Sequence, residues 1–124
     1  MFLLNEWSGC SPQDVLDEFH ERKLKAGTGP EDINILLASY AYIEDGWGNA
    51  FVLFLQHGKL WEVNASHCSC YGLEGQWEPE EADIQELRHR IHKGRLGDVD
   101  DGAGRFREEL IAVLDMLESQ EKGD

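Results

Sequence analysis

Basic side chains are scarce in this chain. Its 124 residues hold 11 Lys and Arg against 25 Asp and Glu, a formal net charge of −14. A surface of that sign repels phosphate backbones and anionic lipid, so direct contact with nucleic acid or a membrane surface is not expected. Long apolar runs are missing too. No stretch approaches the roughly 20 residues of a membrane span. Met1-Phe2-Leu3-Leu4 is too short for the apolar part of a secretory signal, has no basic flank, and is interrupted by Asn5 and Glu6. The expectation is a cytoplasmic protein. Also absent are internal repeats, low-complexity tracts, and the G-x-S-x-G, Walker A and G-x-G-x-x-G patterns. The carboxylates are too many to single out an acid/base pair.

What is present can fold by burial. Hydrophobic residues make up 41% of the chain, and its length suits one domain, 1–124, with 118–124 expected as a frayed tail. Four zones follow one another. Ser11-Pro12-Gln13-Asp14 reads as a helix start, with a cap, a Pro at the first helical position and an acid in the first turn. Val15, Leu16, Phe19 and Leu24 form its stripe, Arg22, Lys23 and Lys25 suit its C-terminal end, and 27–30 stop it. Trp7 is expected to staple this helix.

The second zone is β: residues 33–43, a turn at 44–49, and strands at 50–56 and 59–65. His57-Gly58 fits a two-residue hairpin loop with positive φ, which pairs Leu55 with Leu60, Phe54 with Trp61 and Val52 with Val63. One face then carries Val52, Phe54, Trp61 and Val63, the other Phe51, Leu53, Leu55 and Leu60. Both faces are apolar, so both need cover. After an aperiodic third zone, 66–77, the fourth is helical. Pro79 is placed at a helix start with Glu80, Glu81 and Asp83 in the first turn and Ile84, Leu87 and Ile91 as stripe; Gly94 closes it. A loop from 95 to 104 leads to a last helix with Phe106, Leu110, Val113, Leu114 and Leu117 inward. The expected fold is α+β, a small antiparallel sheet of about three strands in the order αβββαα.

The third zone, Ser66-His67-Cys68-Ser69-Cys70-Tyr71-Gly72-Leu73-Glu74-Gly75-Gln76-Trp77, continues into Glu78-Pro79-Glu80. This block resembles one in small acidic proteins of bacteriophages and prophages, mostly of unassigned function. The resemblance also takes in 50–54 and 58–64, and it fades before about residue 30 and after about residue 95. It implies a setting, the cytoplasm of a bacterial host under phage attack or carrying a prophage, and no particular activity.

Cys68-x-Cys70 beside His67 is the chief candidate for chemistry. Thiolate and imidazole are ligands zinc prefers, and alternate residues on an extended chain point the same way. A fourth ligand would come from His57, His89 or His92. Against zinc stand the spacing, which is not C-x-x-C, and the lack of a second Cys pair, Cys10 being far off in sequence. A packed turn with buried thiols is the competing reading. Thiol catalysis is disfavoured, because adjacent His67 and Cys68 on an extended chain face opposite ways. Asp98-x-Asp100-Asp101-Gly102 with Glu109 half resembles a calcium loop but has Gly102 and Ala103 where a ligand and a glycine belong.

The densest acidic groups are Asp14, Asp17, Glu18 and Glu21 on the first helix, and Glu78, Glu80, Glu81 and Asp83 after the third zone. Trp47, in a Gly-flanked turn, is a candidate interface anchor. Solubility alone explains such charge, as does a face that docks on a basic partner. The expected function is a non-catalytic phage-type accessory protein that binds and inhibits a host protein, a defence or nucleic-acid-handling component, through its acidic surface. A zinc-stabilised structural or regulatory domain is the alternative.

Overall fold

The computed structural model describes residues 1–19, 33–44, 47–67, 73, 75–94, 96–97 and 105–122, with the backbone alone at 42–44, 47, 67 and 121–122. Its elements are β1 (Phe2–Asn5), α1 (Pro12–Phe19), β2 (Asn34–Glu44), β3 (Trp47–Gln56), β4 (Lys59–His67), β5 (Glu80–Glu81), α2 (Ile84–Lys93) and α3 (Arg107–Lys122). The fold is α+β. The strands form one five-stranded sheet in chain order. β1 runs parallel to β2, and the other pairs are antiparallel.

The hairpin of β3 and β4 sets the frame. Its loop holds His57 at φ 53° and Gly58 at φ 77°, the left-handed pair that a two-residue turn needs. Leu55 faces Leu60, Phe54 faces Trp61 and Val52 faces Val63, the register expected from the sequence. The two faces of the hairpin enter separate cores. Val52, Phe54 and Val63 join Val15, Leu16 and Phe19 of α1, with Trp61 packed at the margin. Phe51 and Leu53 join Leu87 and Ile91 of α2 and Phe106, Leu110, Val113, Leu114 and Leu117 of α3, with Leu55 and Leu60 at the margin. Helices therefore cover both sides of the sheet, as two apolar faces require. A bulge in β2 lets Leu36 and Leu37 both turn toward α2 and α3, since the pairing skips from Ile35–Phe54 to Leu37–Leu53.

Several boundaries differ from the sequence reading. The sheet has five strands rather than three, because β1 joins in parallel beside β2 and β5 adds two residues beside β4. The turn expected at 44–49 is shorter: Gly48 and Asn49 already pair with Tyr42 and Ala41. Pro79, Glu80 and Glu81 do not open α2. Ala82 still donates its N–H to Leu60 of β4, and Asp83 is the cap, its carboxylate accepting from Glu86 N–H at 3.1 Å. α3 runs through Lys122. Trp7 lies 2% exposed between Phe19 and Tyr40, at ring distances of 6.0 and 5.2 Å, in the core that Val15 and Leu16 of α1 also enter. Leu24, Arg22, Lys23 and Lys25 lie outside the described residues, as does the calcium-like loop from Asp98 to Ala103.

Two polar contacts tie the layers. Glu62, 7% exposed on the face of β4 toward α2, receives Arg90 Nη1 on both oxygens at 2.8 and 2.9 Å, and Asn64 on one at 2.8 Å. Arg88 of α2 binds Asp115 at 2.7 Å and Glu118 of α3. The hydrogen bond to Asp115 leads the effects on Arg88, outweighs the partial burial that opposes it, and with Glu118 raises the guanidinium pKa above its ordinary value.

Two glycines with positive φ separate strain from fit. At Gly58 a Cβ would meet nothing within 4 Å, whereas at Gly97 it would stand 2.7 Å from the Arg107 Cα. Gly97 O also accepts from Phe106 and Arg107 at the start of α3. Gly58→Ala should cost about 1 kcal/mol from backbone strain alone, and Gly97→Ala clearly more, read as denaturant midpoints. Arg90→Ala should cost about 2 kcal/mol by leaving buried Glu62 without its cation, and Arg90→Ala with Glu62→Leu should recover most of that.

Candidate functional site

The thiol-rich segment can be placed only at its start. His67 ends β4, its backbone opposite Gly48, and Cys68 and Cys70 lie outside the described residues. His57 is in the turn before the other end of this nine-residue strand. At about 3.3 Å per residue the two are more than about 20 Å apart, far beyond a shared metal ion. The structure thus does not bring His57 to His67. His89 and His92 are exposed on α2, and Cys10 is a free, half-buried thiol. Among the described residues no group of three or more His, Cys, Asp and Glu could hold a metal ion. Trp47 opens β3 opposite Glu44 instead of standing in a turn.

The acidic groups are better defined. On α1, Asp14, Asp17 and Glu18 are exposed; Glu21 lies outside the described residues. Asp14 contributes to the helix start. It accepts from Ser11 N–H at 2.9 Å while Ser11 Oγ accepts from Asp14 N–H at 3.2 Å, a reciprocal cap. Asp17 accepts from the Gln13 amide at 2.7 Å. Glu78, Glu80, Glu81 and Asp83 are all exposed along the β4 edge of the sheet.

A short segment links the two groups. Gly75 donates its N–H to Phe19 O at the end of α1, at 3.0 Å. Trp77 meets Phe19 edge-on at 5.0 Å and stacks on Phe54 at 5.3 Å. Gln76 clamps the edge of β4, its amide accepting from Ser66 N–H at 3.0 Å and donating to Ser66 O at 2.5 Å. One side chain thereby serves as a partner strand for one residue. The acids of α1 and of 78–83 consequently flank a common spacer, residues 75–77. Sequence reasoning found both acidic groups and missed what joins them. The signal for it was Gln76 beside Trp77 in a stretch with no period of its own.

No protein family, curated protein or solved structure compared with this chain matches it.

The packed-turn reading of 67–71 predicts protein purified without added metal to hold far less than one zinc per chain, and a chelator to leave its melting curve unchanged. One equivalent of zinc, with a chelator-dependent fall in Tm, would establish the metal reading instead.

Proposed function

We propose that this chain is a non-catalytic accessory protein of the phage type, which binds and inhibits a host protein through its acidic surface. The partner presents a basic surface and belongs to the host's defence or nucleic-acid-handling machinery. The observation that carries this reading is how the exposed charge is arranged. Asp14, Asp17 and Glu18 stand on α1, which has no Lys or Arg between Pro12 and Phe19. Glu78, Glu80, Glu81 and Asp83 continue beyond the 75–77 spacer. Glu81 pairs with Lys59 at 3.9 Å, both side chains 60% exposed. The remaining described cations lie on or beside α2 and α3, where Arg88 and Arg90 are engaged within the fold. Exposed carboxylates of one sign steer a basic partner and penalise an acidic one. The phage setting rests on the resemblance of residues 66–80 alone.

Affinity purification from a bacterial host at about 50 mM and about 500 mM salt tests the proposal. One basic host protein should be retained at low salt and lost at high salt. The triple change Glu78→Gln, Glu80→Gln, Glu81→Gln should weaken its retention at least about tenfold without lowering Tm, since these side chains are exposed. Retention indifferent to both salt and the triple change would leave the acidity to solubility.

A further inference from the structure

Beside the acidic edge the surface dips into a groove of about 350 Å³. It lies where the β3–β4 turn, the start of α2 and the last turns of α3 converge. Its floor is apolar: Leu55, Leu60, Ala82, Ile84 and Leu117. Its rim is polar, with Glu81, Asp83 and Glu118 against Lys59. The volume is at the low end of ligand sites, roughly 300–1,000 Å³, and suits one or two side chains of a polypeptide.

The chemistry of the rim selects the sign of the occupant. A helix N-terminus ordinarily invites an anion, but at α2 that place is filled by the chain's own Asp83 carboxylate. Glu81 and the adjoining exposed Glu80 add negative charge. Lys59 reaches Glu81 only at 3.9 Å and is 60% exposed, so a competing guanidinium displaces little. An anion would meet these carboxylates; a cation with an apolar neighbour meets both halves of the site favourably.

We infer that this groove seats an apolar side chain of a basic polypeptide segment, while flanking Arg or Lys residues pair with Glu80, Glu81 and Asp83. The inference rests on the acidic-docking reading above and locates it at one site. The apolar anchor supplies specificity that charge alone lacks, because buried apolar contacts at the centre of a polar rim dominate binding. Arg is favoured over Lys, since its planar fork can bridge neighbouring carboxylates.

The test uses the full chain and two fluorescent ten-residue peptides of equal charge, one alternating Arg with Leu and one alternating Arg with Ser. Anisotropy at low salt should show the Arg–Leu peptide binding at least about tenfold tighter than the Arg–Ser peptide. The methyl NMR signals of Leu55, Leu60, Ile84 and Leu117 should shift on its addition. Glu81→Lys at the rim and Ala82→Trp in the floor should each remove most of that advantage, in proteins whose melting curves show them folded. Equal binding of the two peptides, or methyl shifts centred elsewhere, would overturn the groove while leaving the acidic reading standing. Binding of neither peptide would overturn both. Concentration-dependent self-association that Ala82→Trp abolishes would assign the groove to a second copy of this chain and overturn the proposal.

Discussion

Everything in this structure depends on a central strand whose two faces are both buried. Phe51, Val52, Leu53 and Phe54 of β3 are each no more than 1% exposed, although successive residues point to opposite sides. A strand of that kind cannot be stable at the surface of a sheet. It demands a layer above and a layer below, and the chain supplies α1 on one side and α2 with α3 on the other. The register carries the same weight. A slip of one residue would exchange Phe54 and Val52 for Phe51 and Leu53, and fit neither layer. The positive φ of His57 and Gly58 fixes that register at the turn, and the β2 bulge corrects the phase on the other flank.

The large negative charge then divides into parts with different roles. Glu62 is inside, neutralised by Arg90 and Asn64, and it ties the sheet to α2. Asp14 accepts from the Ser11 N–H at the start of α1, and Asp83 caps α2, each carboxylate standing near the positive end of a helix. Asp115 and Glu118 hold Arg88 and so join α3 to α2. These groups explain part of the acidity through folding. Other exposed carboxylates, Glu18, Glu78, Glu80 and Glu81 among them, cap no helix and join no layers.

How far the sequence was legible follows from the same physics. The hairpin could be read because a two-residue loop with Gly at a left-handed position admits one register and the flanking residues alternate cleanly. The stripes of α2 and α3 could be read because Ile84, Leu87 and Ile91, and then Phe106 to Leu117, keep helical spacing. β1 was illegible: four residues pair in parallel with a strand some thirty positions on, a contact that no local pattern announces. β5 was misread for a different reason. Pro79 followed by acids imitates a helix start, whereas Glu80 and Glu81 pair with β4 and Ala82 N–H bonds to Leu60, so the chain is still in the sheet. Of the candidate site, the acids were legible as composition. The groove was not, since Leu55, Leu60, Ile84 and Leu117 come from four separate elements.

The form of the exposed edge also constrains how a partner can bind. An open strand invites another strand to add to it. Along β4 that route is obstructed: β5 covers Trp61 and Glu62, and the Gln76 amide occupies both backbone groups of Ser66. β5 itself is two residues long and consists of two glutamates, the short, charged edge that discourages further pairing. With backbone recognition blocked on this side, a partner must be held by side chains. What this edge offers to side chains is a row of carboxylates beside a groove with a polar rim and an apolar floor. Charge thus does two things at this edge: it discourages strand addition, and it surrounds the groove with carboxylates.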